Sequence, residues 1–356
     1  MSGAWHAAAA AMHADAATAP AAGARLTQPA HVVCLNRMLD PAGEEMLRAS
    51  GAEVEVVAWT DAQAVRAALP RADAIVVRLP AAFPADLVAL AGRAKIVASS
   101  GSGTDHIDIP AATAARIPVV NNRYVGARAV AEHTLGLMLG LAKHIHRGDR
   151  LLRTQGWSVR ETFHHENLAD DLYEKTLCTV GFGPIARDIA RICHTAFDMN
   201  VAVHCRTRPA DLPAGYDWEP DLNALCARAD FLSVNVPLGP ATHHLVGREA
   251  ISHLKPTAYV INTARGPVVD GDALCEALAE GRIAGAGLDV FEEEPLPKDH
   301  PLLALPNVIV TPHVAGLSRS ACRRLALSAA GQVVQVLKGE RPPNLMNPEI
   351  WETRRT

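Results

Sequence analysis

"TLCTVGFGPIARDIARICHTAF", Thr176 to Phe197, decides how the rest of the chain is read. Its first five residues are apolar or β-branched, the composition of a short strand. Gly181-Phe182-Gly183-Pro184-Ile185-Ala186 breaks that run, and "IARDIARICHTAF" then resumes with helical spacing of apolar residues. A glycine-rich turn between strand and helix is the setting in which G-x-G-x-x-G holds a dinucleotide. Gly181 allows the tight turn, and Gly183 lets the backbone approach a pyrophosphate. The third position needs a small residue, which Ala186 supplies. The helix N-terminus offers amides and partial positive charge to the phosphates. Pro184 suits a first helical position but carries no N–H, so one donor is missing. Taken alone, these residues also fit a plain strand–helix turn without ligand.

The same alternation repeats on either side of this stretch. Upstream, "HVVCLN", "EVEVVA", "AIVVRL", "KIVASSG" and "IPVVN" read as five strands of one α/β unit. Their near-continuous apolar character is that of parallel strands covered on both faces. A long helical stretch follows, about Ala127 to Ile145, and then a polar segment from His146 to Glu174 that reads as an irregular loop or interface arm. After it, "TLCTVGFG", "NVAVHC", "FLSVNVP", "AYVINTA", "GAGLDVF" and "NVIVTPH" read as six strands alternating with helices, a doubly wound parallel sheet. A last helix covers about Ser318 to Lys338, and "RPPNLMNPEI" reads as the tail that stops it.

At 356 residues the chain has room for two or three domains, and 49% hydrophobic with 20% charged residues supports a full core. A net charge of −4 gives no basic footprint for nucleic acid or an anionic membrane, and no apolar run reaches the roughly 18 residues of a membrane span. The seven cysteines form no CxxC pair, as expected of core thiols in a reducing, cytoplasmic setting. The Ala-rich head, residues 1–30, lacks a basic start and an apolar block, and reads as disordered.

Three stretches beyond strand ends carry unusual polar residues: "NTARGPVVD", "GLDVFEEEP" and "VTPHVAG". Ligands bind in this position in open α/β sheets. Arg265 is a planar cation suited to a carboxylate and an adjacent carbonyl. His313 can move a proton near neutral pH, and Glu294 can orient it. Taken singly, each is more often a surface ion pair, a structural histidine or a solvated acidic turn. Elsewhere, "SSGSGTDHIDIP" places Ser102 and Gly103 where their amides could form an anion nest. No cluster of metal-ligand type appears, so no metal is expected.

In order, "GSGTDHID", "AVAEHTLGLML", "KTLCTVGFGPIA", "INTARG", "GLDVFEEEP" and "TPHVAG" closely resemble the signatures of the D-isomer-specific 2-hydroxyacid dehydrogenase family, from about His31 to Asn347. The resemblance implies two Rossmann-like doubly wound domains with the active site in the cleft between them. One would be a discontinuous substrate-binding domain, residues 31–126 plus 317–356, and the other a dinucleotide-binding domain, residues 127–316. It implies Arg265 as substrate clamp, His313 as acid–base and Glu294 as its partner. Ser102 and Gly103 amides would bind the substrate carboxylate, with Leu79 in the neighbouring substrate loop. Asp289 would lie near the nicotinamide amide. Gly181, Gly183, Pro184, Ile185, Val236, Pro237, Thr263, Ala264 and Gly316 would line the cofactor site. A homodimer built around residues 127 to 170 is also implied.

A dinucleotide unit usually carries an Asp or Glu about 20 residues past its glycines, to grip a ribose hydroxyl. Here "VAVHCRTRP" offers Cys205, Arg206, Thr207 and Arg208, and the family's usual Asp falls on Cys205. Two cations and a hydroxyl suit a 2′-phosphate. The reading favours NADP(H), with NAD(H) possible, and resembles the hydroxypyruvate and glyoxylate reductases. The competing expectations are an NAD-dependent dehydrogenase of another D-2-hydroxy acid such as 3-phosphoglycerate, and a dinucleotide-sensing corepressor that binds without fast turnover.

Overall fold

Where alternate residues of a strand are buried on opposite faces, its sequence reads as one apolar run, and the central strands of both sheets of this protein are built that way. The computed structural model describes residues 25–165 and 168–356. It divides the chain into two units, one comprising the residues up to Gly126 together with Leu317–Thr356, the other Ala127–Gly316.

In the first unit, β1 (His31–Leu35), β2 (Glu53–Val57), β3 (Ala74–Val77), β4 (Ile96–Ser99) and β5 (Val119–Val120) form a parallel sheet in the order β2-β1-β3-β4-β5. Val33, Leu35, Ile75, Val77 and Val97 point to one core with Val65, Leu69 and Val88. Val32, Cys34, Val76 and Ala98 point to the other, which the C-terminal helix Arg319–Leu337 covers with Ala326, Ala330 and Val333. The Pro-rich end does more than stop that helix. Asn347 is 1% exposed; its side chain accepts from the Val119 amide and donates to the Ile117 carbonyl at 2.9 and 3.0 Å. Trp351, buried, completes the same core. Of the Ala-rich head, residues 1–24 lie outside the described residues. Near its end the Leu26 amide donates to the Ser50 carbonyl at 2.8 Å, and Leu26 packs on the core.

The second unit holds seven parallel strands: β6 (Thr176–Val180), β7 (Asn200–His204), β8 (Tyr216–Trp218), β9 (Phe231–Val234), β10 (Tyr259–Asn262), β11 (Gly285–Leu288) and β12 (Val308–Val310). Their order is β12-β11-β10-β9-β6-β7-β8. Winding reverses between β6 and β9, the switch point at which such sheets bind ligands. The sequence predicts six strands; the seventh, β8, is a three-residue edge strand, "YDW", too short and too polar to show as an apolar run. The helix Ala127–Ala142 packs Leu137, Met138 and Leu141 against this sheet, and the helix Pro184–Phe197 packs Ile189, Ala190 and Cys193.

The polar segment after residue 145 departs from its reading as irregular. Ile145–Gln155 is an α-helix, followed by a 3-10 turn at Trp157–Glu161 and a short helix at Thr162–His165. None of the residues of Ile145–Gln155 is buried, so it shows no core-facing stripe; an Arg153–Asp149 pair one turn apart supports it at 2.8 Å. Among the described residues no helix is long and apolar enough to cross a membrane.

Candidate active site

Parallel strands deliver all their following loops to one edge of the sheet, and in the second unit nearly every singled-out residue lies in such a loop. Gly181 to Ile185 follow β6, Cys205 to Arg208 follow β7, and Val236 and Pro237 follow β9. Thr263, Ala264 and Arg265 follow β10, Asp289 and Glu294 follow β11, and His313 and Gly316 follow β12. Leu79, Ser102 and Gly103 belong to the first unit, beyond the carboxyl ends of β3 and β4.

The glycine turn has the geometry its sequence asks for. Gly181 has φ +93°, and a Cβ there would lie 2.8 Å from the Asn235 carbonyl oxygen, so only glycine fits. Gly183 precedes the helix that Pro184 opens, and a Cβ on it would meet nothing within 4 Å: the space in front of the helix N-terminus is open. Open space, close backbone and a helix N-terminus together fit a dinucleotide pyrophosphate. At the β7 exit, the Cys205 carbonyl accepts from Trp218 Nε1 at 3.2 Å, and its thiol donates to the Thr207 carbonyl at 3.2 Å. Arg206, Thr207 and Arg208 are exposed, and neither arginine forms an ion pair among the described residues. The first acid of this loop, Asp211, is bonded to Arg187 at 2.8 Å; that hydrogen bond holds its carboxyl below the usual range.

His313 and Glu294 meet: Nδ1 lies 2.7 Å from Glu294 Oε2. The other carboxylate oxygen accepts from the Phe291 amide at 3.0 Å. Burial alone would push the Glu294 carboxyl up. The hydrogen bonds from His313 and Phe291, with the charges of His313 and Arg265, outweigh it and hold the group below the usual carboxylate range. The Arg265 loop is fixed by Asn262, whose amide side chain accepts from Ala264 N and donates to the Arg265 carbonyl. Gly266 passes so close to the 291–292 backbone that a Cβ would lie 1.9 Å from the Phe291 carbonyl carbon. The loops of Arg265 and Glu294 are thus interlocked at the backbone. Asp289 is 1% exposed and bonds to Thr311, Val314 and Ala315. In the first unit, the Ser102 hydroxyl donates to the Asn122 carbonyl, Ser99 donates to the Gly103 carbonyl at 2.8 Å, and Leu79 is exposed.

Residues 135–315 match the family model for the NAD binding domain of D-isomer specific 2-hydroxyacid dehydrogenases. The chain is 39% identical over 290 residues to a glyoxylate reductase of Thermofilum pendens, covering 79% of this chain and 83% of that one. The chain belongs to the D-isomer specific 2-hydroxyacid dehydrogenase family. It is an NAD(P)-dependent dehydrogenase whose chemistry is hydride transfer between a nicotinamide dinucleotide and a 2-oxo or 2-hydroxy acid. It is also 39% identical over 297 residues to a D-3-phosphoglycerate dehydrogenase of Methanocaldococcus jannaschii, covering 83% of this chain and 55% of that one. Among solved structures it resembles an NADPH-dependent glyoxylate/hydroxypyruvate reductase from Sinorhizobium meliloti in complex with NADP and malonate. There the TM-score is 0.79 and the identity 30%, with 89% of this chain and 96% of that one covered.

Sequence reasoning passed over three residues that the structure brings to this edge. His133 and Thr134, inside "AVAEHTLGLML", bond to Thr311 and Thr263. Their signal is the polar triplet Glu132-His133-Thr134, in which only Glu132 is exposed, within a largely apolar helix. No such signal marks Thr311, whose contacts with His133 and Asp289 are long-range.

Proposed function

We propose that the protein is an NADP(H)-preferring reductase of small 2-oxo acids, glyoxylate and hydroxypyruvate among them. The observation that carries this reading is the β7 exit, where Cys205 stands in the acid's place and Arg206 and Arg208 are exposed and without ion-pair partners among the described residues. A carboxylate there would repel a 2′-phosphate; two guanidiniums and the Thr207 hydroxyl give charge-assisted hydrogen bonds instead. Asp211 is engaged by Arg187 and adds no unpaired negative charge. The dinucleotide, when bound, supplies or accepts the hydride at the substrate's carbonyl carbon. Gly181, Gly183, Pro184 and Ile185 shape the pyrophosphate turn, while Val236, Pro237, Thr263, Ala264, Asp289 and Gly316 line the rest of the cofactor site.

The chain's own groups do the remainder. Arg265 holds the substrate carboxylate and carbonyl oxygen while negative charge grows on the latter. Glu294 occupies Nδ1 of His313, which leaves Nε2 as the atom that delivers a proton to that oxygen or takes it back. Ser102 and Gly103 amides bind the carboxylate, with Leu79 in the same substrate loop. Ile145, Leu152, Trp157, Leu168 and Tyr173 are large, apolar and exposed, Trp157 to 74%, which supports docking of a second copy on this stretch as a homodimer. Seven free thiols suit a reducing, cytoplasmic setting.

Steady-state rates with NADPH and NADH on glyoxylate and hydroxypyruvate test the reading. The expectation is an NADPH preference, with the KM for NADPH raised about 10–100-fold by Arg206→Ala with Arg208→Ala and the NADH kinetics little changed. Faster turnover with NADH refutes the phosphate clamp. Oxidation of 3-phosphoglycerate with NAD in its place would make the protein an NAD-linked dehydrogenase, and tight binding without turnover a sensor.

A further inference from the structure

His313 works from a strained backbone. Its φ of +54° lies in the left-handed region, where a side chain of this size costs about 1–2 kcal/mol and persists only when the surroundings fix it from several sides. One residue does most of the fixing. The His313 amide donates to the Asp289 carbonyl at 2.8 Å. The next two amides, of Val314 and Ala315, donate to Asp289 Oδ1 and Oδ2 at 2.9 and 2.8 Å. The turn that presents His313 is therefore folded around the Asp289 carboxylate.

That carboxylate is held in its turn. Thr311 Oγ1 lies 2.5 Å from Oδ1, and His133 Nε2 lies 3.0 Å from the same hydroxyl. An ionised carboxylate only accepts, so the hydroxyl spends its one proton on Asp289 and accepts from His133. Nε2 of His133 therefore carries a proton. Among the described residues His133 is the one cation-forming side chain within ion-pair distance of Asp289, at 3.7 Å. The next residue of the same helix repeats the device. Thr134 donates its proton to the Val130 carbonyl, so at 2.9 Å it accepts from Thr263, two residues before Arg265.

We infer that His133 is a positioning residue that, through Thr311 and Asp289, sets the turn from which His313 reaches substrate, while Thr134 holds the Arg265 loop from the same helix. The inference rests on the proposed role of His313. It adds that the helix Ala127–Ala142 is not only core packing: two adjacent polar side chains register the loops of the proton donor and the anion clamp. It also gives Asp289 an inward task besides any contact with a nicotinamide.

Paired variants test it. Thr311→Val keeps the shape and removes the hydroxyl, whereas Thr311→Ser keeps the hydroxyl. His133→Leu removes the donor, and His133→Gln keeps an N–H near the Nε2 position. The expected result is a kcat lowered about 10–100-fold in Thr311→Val and His133→Leu with the KM for the dinucleotide unchanged, and most of the kcat restored in the Ser and Gln variants. Alongside, the His313 ring resonance in a ¹³C-histidine spectrum should move in Thr311→Val and return in Thr311→Ser. Unchanged kcat in both deletions, or loss of kcat only in proportion to lost folded protein, overturns the inference. Should the wild-type enzyme turn over no 2-oxo acid, the functional reading fails instead, and the spectrum decides: a His313 resonance that moves in Thr311→Val supports the positioning chain, and one that stays put overturns it.

Discussion

Gly266→Ala is the most stringent perturbation of the site, because it adds a single methyl group, with no change of charge, where the backbones of the Arg265 and Glu294 loops meet. The added Cβ would sit 1.9 Å from the Phe291 carbonyl carbon, 2.0 Å from its oxygen and 2.4 Å from the Glu292 nitrogen. Each is backbone, so no side chain can swing away, and the two loops must part by about 1.5 Å to reach an ordinary van der Waals contact. Overpacking of this kind costs about 3 kcal/mol, or roughly 6–12 °C in Tm for a unit of this size. The displaced strand of backbone includes Phe291, whose amide holds Glu294, which in turn holds His313. A misplacement of about 1 Å costs on the order of 100-fold in rate, so kcat should fall by at least about 100-fold. Differential scanning calorimetry and steady-state kinetics on purified protein read both numbers. Gly136→Ala is the control: it lies exposed in a helix, its Cβ would meet nothing within 4 Å, and it should stabilise by about 0.5–1 kcal/mol. A Gly266→Ala protein with wild-type Tm and kcat would refute the claim that the two loops are interlocked.

Other outcomes follow from the same geometry. Gly183→Ala should fold with an unchanged Tm, since its Cβ enters open space, yet lose dinucleotide affinity in a fluorescence titration; unchanged affinity would remove the pyrophosphate from that turn. The Glu294 carboxyl sits below its ordinary 4.5, so its contribution is fully present above about pH 5 and lost as pH falls through the folded value. The Tm gap between wild type and Glu294→Gln should therefore close on acidification, and a gap that widens would contradict the sign. Asn347→Ala orphans the buried Val119 amide and Ile117 carbonyl and should cost about 2–4 kcal/mol in urea unfolding. Burial pushes the Cys34, Cys178, Cys193 and Cys226 thiols up to about 12, so iodoacetamide at pH 8 should spare them in native protein, by mass spectrometry.

The strands were legible because burial on both faces leaves an unbroken apolar run, as in "HVVCL" and "AIVV". Edge strand β8 and the helix Ile145–Gln155 were not, for opposite reasons. The first is too short to carry a period, and the second buries nothing in its own chain, so its apolar residues never align with a core. Strand-end placement marked Arg265, Glu294 and His313, and the contact between the last two is seen only in the fold, across 19 positions of sequence. His133 and Thr311 stand 178 residues apart, and no local pattern announces a bond at that range. Asn347 likewise looked like part of a trailing segment, although its side chain bridges to residues some 230 positions earlier.

That the first unit is completed by the last stretch of chain has a consequence during synthesis. Strands β1 to β5 leave the ribosome early, yet the face formed by Val32, Cys34, Val76 and Ala98 is closed only when Ala326, Ala330 and Val333 arrive. All of Ala127–Gly316 is made in between, which at about 5–20 residues per second takes on the order of 10–40 s. The contiguous second unit can fold during that interval, while the older half waits with an apolar sheet face open. A chain stalled when Gly316 has just cleared the ribosome exit tunnel should therefore display a protease-resistant second unit tethered to a protease-sensitive first one.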